Sequence, residues 1–242
     1  MKIETGIIKG MPESEYRAHP ALSKSDVDKW ISGERPDGRQ LTFGSAFHLG
    51  ILEPERAKRE IVFCREATPL NTKAGKEAWT NFEAANPGKL CLMLREFEAM
   101  KGMFAAVKDH PKVTAIRNAD GDRELSVFWK DEPTGLWLKA RIDQVPQAKF
   151  LIDWKTSGYL TAEEFDQSII GYSYHLQAAW YQYGYQVVTG KTLPFAFIVC
   201  SKRAPNPCFT RRVADNEIAL GTAEMRRLLT LYARYEKQSL GE

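Results

Sequence analysis

Residues 136–156 read LWLKARIDQVPQAKFLIDWKT, and this stretch decides the fold that the sequence predicts. It is typical of two short strands joined by a tight turn at residues 146–149. Side chains along a strand alternate between faces, so Asp153 and Lys155 point to the same side of the second strand. Folding the hairpin back on itself brings both of them near Asp143 on the first strand. Two carboxylates beside a lysine suit a divalent metal ion that binds a phosphate ester.

The composition is that of an ordinary globular protein that is long enough to bury a sizeable core. Of the 242 residues, 43% are hydrophobic and 27% are charged, and the net charge is only +3. The whole molecule is therefore not a polycation, and binding of a polyanion would need basic residues gathered on one surface. The four cysteines form no CxxC pair, which argues against a zinc site and a disulfide scaffold and fits a reducing cytoplasm. With no evident signal peptide and no apolar stretch of the ~20 residues that a bilayer requires, we expect a cytoplasmic protein without a membrane partner.

Further strands extend the hairpin into a sheet. Residues 124–130, ELSVFWK, are rich in β-branched and aromatic side chains and begin with a period of two, so they predict a strand that forms an antiparallel meander with residues 136–145 and 150–155. Residues 193–201 form a continuous apolar run, which is typical of a central strand. Residues 210–213 predict an edge strand.

Helices account for most of the remaining chain, because their apolar positions recur at helical spacing. The sequence predicts helices at 23–33, 41–52, 73–86, 92–109, 162–170, 172–188 and 215–238, and an extended arm at 1–20. This order of elements favours an α/β fold. We expect a single domain over residues 1–242. In it, a mainly helical part at 1–120 carries His48, and a part at 121–242 supplies the catalytic sheet and its flanking helices.

The acidic hairpin also has a simpler interpretation. Asp143, Asp153 and Lys155 would then be surface charges, since so short a motif often arises by chance. The context favours a functional site, because Asp153 directly follows the apolar run FLI and emerges from a buried strand. A charge in such a position needs a partner or a metal ion. Magnesium is usually held by one or two carboxylates together with a substrate phosphate.

These residues resemble the motif of the PD-(D/E)xK nuclease superfamily. Asp143 is followed on the next strand by Asp153 and Lys155, and LIDWKT is similar to the DYKT-type strand of the RecB-like branch. Gln177 and Tyr181 are similar to the QxxxY motif of that branch, and residues four apart share one face of a helix. No proline precedes Asp143, and the second acid is Asp rather than Glu. Both variations occur in this superfamily, so they bear on the subfamily more than on the chemistry.

The segment GSAFHLGILEP at residues 44–54 resembles part of the C-terminal domain of RecE-type exonucleases (exonuclease VIII). In that family the histidine of this helix, here His48, belongs to the active site. From the residues alone, a histidine on an apolar helix is more often a hydrogen-bonded core residue than a ligand, since neutral imidazole suits both roles. The resemblance instead implies that His48 is a metal ligand or orients the scissile phosphate. Glu53, in the same segment, is interpreted as a residue that ends the helix.

The resemblance implies an α/β fold with a PD-(D/E)xK restriction-endonuclease-like core, a mixed central sheet flanked by helices, and a helical N-terminal extension. It implies a Mg²⁺-dependent exonuclease, with Mn²⁺ as a substitute, that degrades double-stranded DNA ends 5′→3′. The products would be 3′ single-stranded tails for recombination and repair. The implied catalytic residues are His48, Asp143, Asp153, Lys155, Gln177 and Tyr181. The implied metal ligands are His48, Glu124, Asp143, Asp153 and the backbone carbonyl of Trp154, although Glu124 is equally well explained as a solvated edge residue.

The same resemblance implies partners that no single residue displays. These are double-stranded DNA ends, a RecT-like single-strand annealing protein, and further copies of the chain in a homo-oligomeric ring such as a tetramer. Two other functions stay open at this point. One is another RecB-like DNA endonuclease or a single-strand nuclease, and the other is a non-catalytic DNA- or partner-binding protein on a nuclease fold.

Aromatic and basic side chains are candidates for contacts with DNA. Most aromatic residues at 172–188 are expected in the core, and a few could stack on an unpaired base at a DNA end. Lys139 and Arg141 share the face of Asp143 and are candidates for phosphate contacts. A basic rim is expected from residues on either side of the strand at 193–201, namely Lys202, Arg203, Arg211 and Arg212, with a solvated face as the simpler interpretation.

Overall fold

A computed structural model describes residues 4–33, 38–65 and 70–240 of the chain. Its strands are β1 (Gly6–Ile8), β2 (Ile61–Cys64), β3 (Leu90–Met93), β4 (Gly121–Lys130), β5 (Trp137–Pro146), β6 (Leu151–Ser157), β7 (Phe195–Ser201) and β8 (Cys208–Arg212). Within these residues, six strands form one mixed sheet in the order β1-β4-β5-β6-β7-β8, and β2 pairs with β3 in a separate ribbon. In the main sheet β6 and β7 run parallel, and the other neighbours run antiparallel.

The helices surround this sheet. They are α1 (Glu13–Ala18), α2 (Lys24–Ser32), α3 (Gly38–Leu52), α4 (Pro54–Glu60), α5 (Lys73–Ala85), α6 (Leu94–Asp109), α7 (Pro111–Asn118), α8 (Ala162–Gly171), α9 (Tyr174–Thr189) and α10 (Asp215–Leu240). The α/β class and the mixed sheet flanked by helices are therefore as predicted. No helix in the described ranges is both long enough and apolar enough to cross a membrane.

Two N-terminal predictions are wrong in detail. The arm expected at 1–20 is not simply extended, because it contains α1 and contributes β1, which pairs with β4 at the sheet edge. The helix expected at 92–109 begins at Leu94, because the apolar run Leu90–Met93 pairs with β2 as a strand. Both differences come from pairing with distant segments, which local periodicity does not report. The predicted division at residue 120 stays a prediction.

The two faces of the sheet pack against different helices. On one face, Leu138 and Ile142 of β5 share a core with Trp180 of α9. On the other, Ile152 and Trp154 of β6 pack in a second core that includes residues of α3 and α6. The predicted alternation along β6 is thus confirmed. It directs the side chains of Asp153 and Lys155 toward α9, on the opposite face from Ile152 and Trp154.

The strands β5 and β6 diverge soon after their turn. Gln144↔Ile152 is the one register pair that joins them in the described part of the chain. By contrast, β6 and β7 pair continuously from Leu151↔Phe195 to Ser157↔Ser201. The divergence opens the sheet beside Asp143 and provides the space in which the candidate site lies.

Close packing of α9 against α10 gives a test of the fold. A Cβ atom on Gly221 of α10 would lie 2.2 Å from the His175 carbonyl oxygen of α9, and backbone cannot move aside as a side chain can. Gly221→Ala is therefore expected to lower the free energy of unfolding by about 1–3 kcal/mol. Urea denaturation measures this change. Gly171→Ala is the control, since an added Cβ there meets no described atom within 4 Å, and equal stability of both variants would contradict the packing.

Candidate active site

The carboxylate of Asp143 lies in the gap between β5 and β6. Its Oδ2 accepts a hydrogen bond from the Trp154 backbone N–H at 2.7 Å. A strand N–H that points toward its neighbour normally donates to a main-chain carbonyl in the plane of the sheet. Asp143 replaces that carbonyl, so its charge is held between the two faces rather than on either of them.

A backbone irregularity turns Glu124 toward the same gap. Leu125 packs in the core beneath α9, whereas Arg123, two residues earlier, donates to the Leu52 carbonyl on the opposite face. Regular alternation would place both on one face. Glu124 between them has a φ of +49°, a left-handed conformation that is uncommon outside glycine. The register on either side of this break places Glu124 opposite Asp143.

Three side chains meet at this point. One ligand atom each from His48, Glu124 and Asp143 lies within 4.8 Å of the other two. The His48 Nδ1 is 3.3 Å from the Asp143 Oδ2. Helix α3 positions His48, because the residue before it on this helix, Phe47, is fully buried in the core around Trp154. Glu124 is further held by an ion pair with Arg141.

A second group lies on the α9 side of the gap. The Lys155 ammonium is 2.7 Å from the Asp153 Oδ2 and donates to the Gln177 Oε1 at 3.0 Å. The Gln177 Nε2 in turn donates to the Asp153 Oδ1 at 2.6 Å. These contacts close a triangle in which each side chain fixes the other two. Tyr181 lies one turn further along α9. Burial, followed by charges that include those of Asp153 and Asp143, raises the pKa of its hydroxyl well above the usual range.

Burial and mutual repulsion set the protonation of the acidic side. Burial, followed by the nearby charges of Asp153 and Glu124, raises the pKa of Asp143 well above its usual range. Burial also raises the pKa of Glu124, although the Arg141 guanidinium opposes this. Burial lowers the pKa of His48, which favours the neutral imidazole that a metal ion requires.

The lysine keeps its charge. Burial, the largest single cause, lowers the pKa of the Lys155 ammonium, but the charges of Asp153, Tyr174 and Asp143 and the hydrogen bond to Asp153 together outweigh burial, and the net pKa is raised. Lys155 is therefore a cation and a hydrogen-bond donor near neutral pH, not a proton acceptor.

These observations fit a divalent cation. Crowded carboxylates with a neutral imidazole are a donor set for a divalent cation, and the positive charge would relieve the repulsion at Asp143. The Asp153 Oδ2 is buried and, among the described residues, accepts no hydrogen bond beyond its ion pair. The Trp154 backbone lies close enough to His48 to oppose the lowering of the His48 pKa, so that backbone is beside the group. Of the predicted side-chain ligands, His48, Glu124 and Asp143 form the compact group, and Asp153 lies outside it.

Two predictions about basic residues are wrong. Arg211 is not part of an open rim, because it makes ion pairs with Asp166 at 2.7 Å and with Glu217 at 2.6 Å. Lys139 is buried, and its ammonium donates to the carbonyls of Tyr16 and His19 near the end of α1. Both cations are used to hold the fold together. Local sequence could not reveal this, since all their partners except Glu217 lie far away along the chain.

The structure adds features that the motifs do not contain. A cleft of about 950 Å³ reaches the group of His48, Glu124 and Asp143, and its walls come from α1, α2 and α3, including Glu13 and Lys24. No local signal marks those two residues. Tyr174 places its ring 5.0 Å from the Lys155 ammonium. Its position three residues before Gln177 on the same helix was the signal that could have found it.

Fold and site together define a nuclease domain of the PD-(D/E)xK type. Residues 7–240 match the family described as "PDDEXK-like domain of unknown function (DUF3799)". The chain belongs to this family. Members of the PD-(D/E)xK superfamily typically use divalent metal ions, in agreement with the donor set described above.

One solved structure supports the fold. It is described as a "Putative exonuclease" from Eubacterium rectale and aligns with 88% of this chain and 75% of its own, at a TM-score of 0.53 and 16% identity. At that identity the likeness shows the fold alone. A second, described as SSO0001, covers 86% of this chain and 83% of its own at 11% identity. Its TM-score of 0.35 is too low to show a shared fold. A search of curated proteins finds no match.

The raised pKa of Asp143 predicts how stability depends on pH without metal. A carboxyl whose folded pKa lies above its unfolded pKa destabilises the fold at pH values above the folded pKa. Asp143→Asn removes this charge while its amide oxygen can still accept from Trp154. In EDTA at neutral pH the variant should therefore unfold at a higher temperature than the wild type. The difference should vanish as the pH falls through the raised pKa, because Asp143 is then protonated.

The same variant should lose its response to metal. Saturating Mg²⁺ at about 100 times its dissociation constant should raise the unfolding temperature of the wild type by about 5–10 °C, and that of Asp143→Asn far less. Differential scanning fluorimetry measures both effects. Glu132→Gln, in the exposed turn between β4 and β5, is the control and should behave as the wild type. An equal Mg²⁺ response in Asp143→Asn would rule out this carboxylate as a ligand.

Proposed function

We propose that the protein is a metal-dependent exonuclease that degrades double-stranded DNA ends 5′→3′ and leaves 3′ single-stranded tails. The observation that carries this proposal is the meeting of two groups across one gap. His48, Glu124 and Asp143 supply metal-binding atoms, and the Asp153–Lys155–Gln177 triangle supplies a fixed cation. The family assignment and the fold support a hydrolytic nuclease. The duplex substrate and the polarity come from the resemblance of residues 44–54 to RecE-type exonucleases.

The acidic side of the site would hold Mg²⁺, with Mn²⁺ as a substitute. The proposed ligands are His48, Glu124, Asp143, Asp153 and the backbone carbonyl of Trp154. When bound, such an ion supplies a Lewis acid for the phosphate and lowers the pKa of a coordinated water.

Lys155 acts on the attacking side of the phosphate. Its ammonium stays protonated, so it donates hydrogen bonds to the attacking water and to the charge that develops on phosphate oxygens. It does not abstract the proton. Gln177 binds both Lys155 and Asp153, so its role is to fix the angle between the lysine and the acids. Tyr181 encloses this pair from the next turn of α9 and keeps water away from it.

The wider biological proposal follows the same resemblance. The 3′ tails would enter recombination and repair with a RecT-like single-strand annealing protein, and copies of the chain would form a ring around the duplex. The location would be the cytoplasm, with which the buried thiols of Cys91, Cys200 and Cys208 are compatible. Light scattering coupled to size-exclusion chromatography tests the ring. A monomeric mass at micromolar concentration would exclude it without affecting the nuclease proposal.

The decisive experiment is digestion of linear duplex DNA labelled at either the 5′ or the 3′ ends. In Mg²⁺, the 5′ label should be released at once as mononucleotides, whereas the 3′ label should stay on strands that shorten progressively from their 5′ ends, and EDTA should stop the reaction. Covalently closed circular duplex should survive. Cutting of the circle would favour a RecB-like endonuclease, and digestion of single strands alone would favour a single-strand nuclease. Binding without any cutting would favour a non-catalytic protein on a nuclease fold.

The activity of Lys155→Ala distinguishes digestion at this site from digestion by a contaminating nuclease. Loss of a preorganised donor to developing charge should slow digestion by about 100- to 1,000-fold. Lys149→Ala removes an exposed lysine from the turn between β5 and β6 and should digest DNA at the wild-type rate. Initial rates on the 5′-labelled duplex measure both variants. If Lys155→Ala retained full activity, the assignment of this site would be wrong.

A further inference from the structure

An exposed tyrosine stands beside the candidate site. Tyr172, in the short link between α8 and α9, is 61% exposed, and Ile170 nearby is 56% exposed. Trp180 on α9, by contrast, is almost fully buried. The residue after Tyr172 is Ser173, whose φ of +52° is a left-handed conformation that is unusual outside glycine. The chain thus presents a large aromatic ring to solvent at a sharp corner.

Two ring contacts connect this tyrosine to the lysine of the site. The Tyr172 ring lies 5.8 Å from the ring of Tyr174. The Tyr174 ring lies 5.0 Å from the Lys155 ammonium. Tyr174 itself is fixed by stacking on the buried ring of Phe165, at 5.6 Å with an interplanar angle of 20°. Tyr172 is therefore the outer member of a rigid aromatic row that starts at Lys155.

Two exposed cations lie at the same end of the sheet. Lys202 and Arg203 directly follow β7, the parallel neighbour of β6. The backbone N–H of Lys202 donates to the Ser157 carbonyl at 2.8 Å, and the Arg203 guanidinium donates to the Gly158 carbonyl at 3.4 Å. The Lys202 backbone and the Arg203 guanidinium are thus tied to the end of β6, the strand that carries Lys155, and the Lys202 ammonium lies 5.9 Å from the centre of the Phe43 ring of α3. Neither cation makes an ion pair with the described part of the chain.

We propose that Tyr172 stacks on a nucleobase of the DNA strand that is being cut, within a few nucleotides of the phosphate at Lys155. Lys202 and Arg203 then face phosphates of the same strand. This inference rests on the proposed function, because it takes Lys155 as the position of the scissile phosphate. An aromatic face beside cations suits single-stranded nucleic acid of any sequence, since every base has a flat face and every nucleotide carries a charge. The two cations make nucleic acid a better occupant than an apolar peptide.

Binding in Ca²⁺ tests the stacking separately from cutting. Ca²⁺ takes the same oxygen ligands as Mg²⁺ with looser geometry, and a gel confirms that the DNA stays intact. The probe is a duplex with a short single-stranded end that carries the fluorescent base 2-aminopurine at successive positions. At one position, wild-type protein should quench the fluorescence. Tyr172→Ala should abolish this quenching and weaken binding by about 5- to 150-fold, whereas Tyr172→Phe should keep both within about twofold.

Controls distinguish stacking from a structural role. Tyr235→Ala removes another exposed tyrosine, on α10, and should bind as the wild type. Tyr172→Ala should keep the wild-type Mg²⁺ response in thermal unfolding, which depends on the metal ligands and the fold and not on a base. Loss of this response would show that Tyr172 acts through the fold and would overturn the proposal. So would wild-type DNA affinity in Tyr172→Ala, or a defect in Tyr172→Phe as large as that in Tyr172→Ala.

The two proposals fail in different ways. If the wild type binds and digests the duplex but Tyr172→Ala binds it equally well, only the stacking proposal is wrong. If the wild type binds the probe with quenching that depends on Tyr172 but digests no DNA, Tyr172 is a base-stacking residue, and both the exonuclease proposal and the position of that base beside a scissile phosphate are wrong. If the wild type does not bind the probe at all, both are wrong.

Discussion

The hydrogen bond from the Trp154 backbone to the Asp143 carboxylate joins two strands at the point where their regular pairing ends. Because the carboxylate replaces a main-chain carbonyl, β5 and β6 diverge without leaving a buried N–H unpaired. The resulting gap admits side chains from both faces of the sheet. His48 arrives from α3 on one face, and Gln177 from α9 on the other. The site therefore exists only when both helical layers are in place.

This arrangement stores electrostatic repulsion where a metal ion is proposed to bind. Asp143 is buried beside two other acids, and its raised pKa records the cost of keeping them together. The opposite side of the gap is balanced by Lys155, which the neighbouring groups, above all the Asp153 carboxylate, together keep protonated. A fold that holds like charges together in this way is less stable than it could be, which is common at functional sites. The exposed ring of Tyr172 at a left-handed corner is a second feature that packing does not explain.

Most of the fold could be predicted from local sequence. Alternation placed β4, β5 and β6 within a few residues, because side chains of period two leave a clear pattern when one face is buried. The paired sites Asp153–Lys155 and Gln177–Tyr181 were also visible, since each lies within one strand or one turn of helix. Long-range partners were not visible. Local sequence predicts Arg211 as a free surface cation, but in the fold Asp166 of α8 makes an ion pair with it. Local sequence likewise predicts Lys139 as a DNA contact, but in the fold its ammonium donates to a carbonyl at the end of α1.

The sequence by itself determined the meander, the helices around it, and the types of residue that carry the chemistry. Tertiary structure decided which of these residues meet. It placed Glu124 beside Asp143, because Glu124 adopts a left-handed backbone conformation that no sequence pattern predicts. It also placed Asp153 outside the compact group of candidate ligands. The physical reason is that strand and helix periods are local properties of the chain. The site in the gap between β5 and β6, in contrast, is assembled from side chains of α3 and α9, which pack on opposite faces of one sheet and lie far apart in sequence.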